Sequence, residues 1–129
     1  MADKKIIEEW RKEAEDDFLF ALANLEEGVT FFSKICFHFQ QAAEKYLKLY
    51  IIVYDLGFLQ IHDLLELLKI CEAHDPNFLK IRESCVLLNR YYIETRYPVH
   101  WPTQYNENTA KEARKAAEQI RDFVGSRLN

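Results

Sequence analysis

Residues 30–56 read TFFSKICFHFQQAAEKYLKLYIIVYDL and predict one long helix that is buried on most of its sides. Apolar residues recur at alternating spacings of four and three from Phe32 to Val53, and a second apolar stripe runs from Ile35 to Leu56. A helix with two adjoining apolar stripes contacts neighbours over most of its circumference. We therefore expect it to be the central element of a helical bundle. Its polar exceptions are Gln40, Gln41, Glu44, Lys45 and Lys48.

The rest of the chain extends this helical pattern in both directions. Three glycines and three prolines leave little material for the tight turns of a β fold. Apolar periodicity and start and stop signals predict further helices over Asp3–Glu27, ended by Gly28; from Asp63; from Asp75-Pro76 to near Arg96; and from Thr109. Glu66 and Glu112 stand where they would complete capping boxes for the third and fifth helices. We predict an all-α, antiparallel bundle of four long helices plus a shorter one.

Length and composition predict a single soluble domain over residues 1–129. The chain is 49% hydrophobic and 29% charged, with a net charge of −4, which disfavours nonspecific binding along a nucleic-acid backbone. The three cysteines show no CxxC spacing and are interpreted as reduced core residues. The N-terminus leads directly into charged residues, and the most apolar stretch, Tyr46–Tyr54, is too short to span a membrane. We expect a cytoplasmic protein that does not enter membranes.

Several kinds of catalytic site are excluded by the residues that are missing. Glycines only at positions 28, 57 and 125 allow no Walker A loop, dinucleotide fingerprint or GxSxG elbow. The Glu-x-x-His pairs of a di-iron bundle are absent from the sequence. His62 and Glu66 are spaced to share a divalent metal, but we favour the interpretation that both belong to the start of the third helix. We therefore predict neither a metal nor a cofactor.

The residues best suited to chemistry lie in Asn89–Trp101, which reads NRYYIETRYPVHW. Arginine presents a planar charged fork for phosphate, aromatic rings can stack on bases, and histidine can exchange protons near neutral pH. Residues 77–105 are the one appreciable stretch where basic residues outnumber acidic ones, four to two. The candidate catalytic residues are Arg90, Arg96 and His100, and the candidate ligand-binding residues are Tyr92, Tyr97, Trp101, Lys45 and Lys48. The alternative is structural: Arg96 complements a helix C-terminus, and the aromatic residues form core or dimer contacts. His38 and His74 are interpreted as structural.

Three phrases together resemble a HEPN domain: FHFQQAAEKYLK at residues 37–48, His62-Asp63-Leu64, and YIETRYP at residues 92–98. The resemblance covers almost the whole chain. It implies an all-helical domain that usually dimerises, acts in nucleotide or RNA metabolism, and is often encoded beside a small nucleotidyltransferase as a toxin and antitoxin pair. Many HEPN proteins are metal-independent endoribonucleases whose motif is Arg, four to six residues, then His. Here three residues, one of them a proline, separate Arg96 from His100.

Three functions follow as hypotheses. Because the nuclease spacing is broken, we favour a noncatalytic binding module, a homodimer that docks a small nucleotidyltransferase or a nucleotide or RNA. In the endoribonuclease alternative, His100 takes the proton of a ribose 2′-OH, and Arg96, with Arg90 from the other subunit, stabilises the phosphate charge. The third hypothesis is a purely structural helical dimer.

Overall fold

Helices make up nearly all of the structure, a computed structural model that describes residues 3–57, 60–94 and 104–128, with backbone only at 93 and 94. Within these residues there is no strand. The elements are α1 (Lys4–Glu26), α2 (Phe32–Val53), α3 (Leu64–His74), a 3₁₀ segment (Pro76–Ile81), α4 (Arg82–Asn89), α5 (Tyr91–Glu94) and α6 (Glu107–Ser126). The predicted all-α bundle is confirmed. No helix in the described ranges is long and apolar enough to cross a lipid bilayer.

The α1–α2 hairpin has the most extensive helix packing in the described structure. Gly28 adopts a φ of +78°, and its N–H donates to the carbonyl of Leu25 while the N–H of Val29 donates to the carbonyl of Asn24. This hydrogen-bond pattern closes the C-terminus of α1 and requires a residue that tolerates the left-handed region. The predicted stop at Gly28 therefore has a backbone cause.

The C-terminus of α2 differs from the prediction. The helix ends at Val53, three residues before the expected end at Leu56. Asp55 takes the left-handed conformation, with a φ of +54°, and the N–H of Leu56 returns to the carbonyl of Ile51. Asp is one of the few residues besides glycine that adopt this conformation. The turn is therefore made at Asp55, before Gly57 is reached.

The fourth predicted helix is divided into three elements. Asp75 caps Asn77 as expected, but residues Pro76–Ile81 form a 3₁₀ segment. Phe78 and Ile81, both buried, are three residues apart, which is one turn of a 3₁₀ helix. A turn at Arg90 then separates α4 from α5, so the prediction of one continuous helix from Asp75-Pro76 is wrong, while its predicted end near Arg96 lies outside the described residues.

The last helix, α6, begins before the predicted start at Thr109. Asn106 is the N-cap and accepts from the N–H of Thr109, whose hydroxyl completes the capping box in place of Glu112. Four of its six buried residues are alanines, which lets α6 approach α2 closely. The alanine stripe was predicted from the sequence.

The hydrophobic core surrounds α2, as its two apolar stripes predict. Thirteen residues of α2 are buried, against three of α1 and six of α6. Cys36, Cys71 and Cys85 are buried free cysteines. Burial raises the pKa of Cys85 to about 12, and also raises that of Cys36 to about 12, so these thiols stay protonated at neutral pH.

Candidate functional site

Polar residues are buried along one line of α2. Gln40, Glu44 and Lys48 are separated by four residues each, so they lie one above another on the same helix face. Together with Ser84 they are the buried polar residues of the described structure. Burying a polar side chain costs free energy unless it is hydrogen-bonded. This line, which we call the polar stripe, is therefore the first place to look for function.

Glu44 is the centre of the polar stripe. Its Oε2 accepts a hydrogen bond from Lys48 Nζ at 2.9 Å and lies 3.0 Å from His62 Nδ1. The Lys48 ammonium offsets the buried carboxylate charge. Glu44 Oε1 and Gln40 Nε2, in contrast, are buried with no hydrogen-bond partner among the described residues. Buried polar atoms without a hydrogen-bond partner are uncommon in protein cores. We therefore treat the polar stripe as a candidate functional site.

His62 joins the polar stripe to the surface. It stands two residues before α3, and its side chain is 51% exposed although its partner Glu44 is 5% exposed. The ring of Tyr92 on α5 stacks on the imidazole, with 4.9 Å between centroids and 12° between planes. The imidazole is therefore held by Glu44 at one nitrogen and by Tyr92 on one face.

Asn89 fixes α5 relative to α3. Its Oδ1 accepts from the N–H of Leu64 at 2.8 Å, and its Nδ2 donates to Asp63 Oδ1 at 3.0 Å. Asp63 also accepts from the N–H of Leu65, which confirms it as the N-cap of α3. Because Asn89 ends α4, these bonds set the position from which Tyr92 reaches His62. Glu66 contacts Lys69 at 3.3 Å and does not complete the predicted capping box.

Arg90, a predicted catalytic residue, is exposed at the turn between α4 and α5. Its guanidinium lies 5.2 Å from the ring centroid of Tyr91, which is fully buried. Burial raises the pKa of the Tyr91 hydroxyl, and the Arg90 charge acts in the opposite direction. The same charge also acts to lower the pKa of Cys36, one turn before the polar stripe, although burial outweighs it. Arg90 therefore stands near the N-terminal end of the stripe.

Lys45 belongs to a separate ionic cluster between α1 and α2. Its Nζ lies 2.5 Å from Asp17 Oδ2, and His38 Nδ1 lies 3.2 Å from Asp17 Oδ1. Burial acts to raise the pKa of Asp17, but the hydrogen bonds from His38 and Lys45 and their electrostatic attraction together outweigh it and hold the pKa below its ordinary value. The ring of Phe20 packs edge-on against His38. This cluster joins two helices.

The structure thus brings some predicted site residues together and separates others. Lys48 and Tyr92 both contact the Glu44–His62 pair, Arg90 lies beside Tyr91, and Lys45 faces α1. Arg96, Tyr97, His100 and Trp101 lie outside the described residues.

Sequence reasoning missed the central role of Glu44 and His62. The available signal was the four-residue spacing of Gln40, Glu44 and Lys48 inside an otherwise apolar helix. His62 was instead compared with Glu66, its neighbour one helical turn away. In the described ranges no group of three or more His, Cys, Asp or Glu side chains could hold a metal ion.

Comparisons with known proteins agree with the fold and cover almost the whole chain. A family model for the HEPN domain matches residues 7–127. The crystal structure of TT1696 from Thermus thermophilus is similar with a TM-score of 0.78 at 30% sequence identity, over 95% of this chain and 98% of that chain. The structure of ST0689, an archaeal HEPN homologue, is similar with a TM-score of 0.74 at 24% identity, again over 95% and 98% of the two chains. No curated protein matches.

Proposed function

Because the chain belongs to the HEPN domain family, we propose that it is a binding module for a nucleotide or single-stranded RNA, working beside a small nucleotidyltransferase as in a toxin and antitoxin pair. In this proposal residues 1–129 form one domain that acts as a homodimer in the cytoplasm. Arg90, Arg96 and Tyr97 contribute to the ligand surface, with Tyr92, Trp101 and Lys45 as further binding residues, and Lys48 contributes through its bond to Glu44, which holds His62. Neither a metal nor a cofactor takes part.

The observation that carries the proposal is the polar stripe with His62 and Tyr92 beside it. A buried carboxylate with a lysine partner contributes little net stability compared with apolar residues of the same size. Here, however, the Glu44–Lys48 pair holds a half-exposed imidazole in one orientation against an aromatic ring. Aromatic rings next to a cationic side chain are the usual elements of single-strand recognition. Arg90, which is exposed two residues before Tyr92, is the cation that we assign to this surface.

A second surface supports contact with a protein. Leu19, Phe20 and Phe31 are 51%, 55% and 71% exposed, and all three lie in the α1–α2 hairpin. Large exposed apolar side chains are characteristic of protein interfaces. A second copy of the chain and a nucleotidyltransferase are the two candidate partners for this surface.

The test measures binding by the full chain. Fluorescence anisotropy with a labelled single-stranded RNA, and calorimetry with mononucleotides, are carried out in EDTA. Replacing Arg90 with alanine should weaken RNA binding. It should also reduce the slope of log affinity against log salt concentration by about one, the value expected for one lost phosphate contact. The matched control is Arg82→Ala, another exposed arginine of the same region, at the start of α4. An equal loss in both variants would indicate that only overall charge matters.

The partner is tested by co-expression with any small nucleotidyltransferase encoded in the adjoining reading frame. Copurification in a fixed ratio supports the proposal. Absence of nucleotide, RNA and nucleotidyltransferase binding contradicts it. If self-association is then unchanged after joint replacement of Arg90, Arg96 and Tyr97, a purely structural dimer remains.

A metal-independent endoribonuclease is the second candidate function. The observation that favours it is the exposed guanidinium of Arg90, six residues before Arg96 in sequence. His100 would accept the proton of the 2′-OH, while Arg96 and Arg90 would stabilise negative charge on the phosphate. The test is incubation with structured and unstructured RNA in EDTA. Cleavage that persists in Arg96→Ala and His100→Ala would contradict these roles.

A further inference from the structure

The surface of the His62 imidazole divides into occupied and open parts. Tyr92 covers one face of the ring, and Nδ1 is directed at Glu44 Oε2. The side chain is nevertheless 51% exposed. Neither contact covers the opposite face of the ring or the edge that carries Nε2, so these are the sides from which a ligand can approach.

The contact with Glu44 also determines the hydrogen-bonding character of the open edge. A carboxylate oxygen only accepts, so the imidazole nitrogen 3.0 Å from it must carry a proton. In the neutral ring, Nε2 is then left as an acceptor. Because Glu44 is buried and bonded to Lys48, its carboxylate is held in place and the ring cannot rotate without losing this bond. The open edge is thus oriented before any ligand arrives.

We propose that the open face of His62 is a nucleobase-binding subsite, in which the base extends the Tyr92–His62 stack and donates an N–H to His62 Nε2. This inference rests on the proposed function and specifies the part of the ligand that His62 would contact. A planar π system is needed to continue a stack of rings only 12° from parallel, and a donor at its edge is needed to match the acceptor. A nucleobase has both features, whereas a phenyl ring has no donor at its edge.

The surroundings favour recognition of the base over recognition of the phosphate at this point. Asp63 follows His62 directly and carries a negative charge that is fixed by Leu65 and Asn89. Lys48 is 6% exposed, so its ammonium does not face solvent. The phosphate is therefore expected to lie away from His62.

The first experiment follows the histidine ring signals by NMR in the full chain while AMP, a short oligoadenylate RNA, or ribose 5-phosphate is added. Stacking of adenine on the open face should shift the His62 ring protons through the ring current, whereas His38 should not respond. Shifts with AMP and RNA place both ligands on the subsite, and shifts with RNA alone identify RNA as the source of the base. Equal shifts with ribose 5-phosphate would overturn the proposal, because that compound has no base.

The second experiment measures affinity for whichever ligand binds. His62→Ala should weaken binding about tenfold, the magnitude of one base stacked on an aromatic side chain. His62→Phe keeps a ring but has no Nε2, so it should recover part of the loss. The matched control, His38→Ala, removes another imidazole paired with a carboxylate and should leave affinity unchanged. Circular dichroism confirms that each variant is folded.

The outcomes separate this inference from the proposed function. If RNA binds and Arg90→Ala weakens it, while His62→Ala and the His62 signals show no effect, the module function stands and the subsite is wrong. If neither AMP nor RNA binds the wild type, the subsite is wrong, and the proposed function is contradicted as well only if no nucleotidyltransferase copurifies with the chain.

Discussion

Replacing Lys48 with methionine should strongly destabilise the protein, because it leaves the Glu44 carboxylate buried without its ammonium partner. The two side chains are 6% and 5% exposed and 2.9 Å apart. Removing one member of such a buried pair typically costs about 3–5 kcal/mol. We expect about 3 kcal/mol, the lower end of that range, since His62 Nδ1 lies 3.0 Å from Glu44 Oε2 and its hydrogen bond still stabilises the carboxylate. For a domain of this size that corresponds to a fall in Tm of roughly 10 °C.

Urea and thermal unfolding, followed by circular dichroism, measure this cost. The double variant Glu44→Leu with Lys48→Met removes both charges and should return to within about 1 kcal/mol of the wild type. Lys12→Met is the matched control, because Lys12 and Asp16 form the same i,i+4 pair on α1 but are 77% and 55% exposed. An exposed pair contributes about 0–1 kcal/mol. If Lys48→Met costs no more than Lys12→Met, the carboxylate is not buried as described and our reasoning about the polar stripe fails.

Three further predictions concern stability. Asp17→Asn should destabilise the protein at neutral pH. Because the pKa of Asp17 is lowered in the folded state, its contribution to stability is lost as pH falls below about 4, so the unfolding free energies of variant and wild type should converge there. A difference that stays constant with pH would contradict this. Asn106→Ala removes the acceptor for the N–H of Thr109 and should cost about 1 kcal/mol in urea unfolding, whereas Asn108→Ala, a surface control in the same turn, should cost less. Phe18→Ala empties a fully buried position beside Phe39 and should cost about 3–5 kcal/mol by thermal unfolding; a loss under about 1 kcal/mol would mean that the core is not packed there as described.

The helices themselves could be predicted because their determinants are local. The apolar stripes of α2, the glycine at position 28 and the Asp75-Pro76 pair each act within a few residues, so the sequence displays them directly. Boundaries failed where two local signals competed. Asp55 adopts the left-handed conformation two residues before Gly57, and Asn106 rather than Thr109 is the N-cap of α6.

The site was harder to predict because its contacts join distant parts of the chain. Glu44 and His62 are eighteen residues apart, and His62 and Tyr92 are thirty apart, so no helical periodicity relates them. The pairing depends on how α3 and α5 pack against α2. Lys45 and Lys48 illustrate the same limit. They are only three residues apart on α2, yet Lys45 contacts Asp17 and Lys48 contacts Glu44.

The hairpin of α1 and α2 has a consequence for how the chain folds. Its helices are consecutive in sequence, so their contacts close a short loop, whereas α6 must return from the far end of the chain to cover α2. We expect the hairpin to form early and α6 to dock late in the folding reaction. Pulse-labelling hydrogen exchange would then find amides of α1 and α2 protected before those of α6. Simultaneous protection of all three would mean that assembly is concerted.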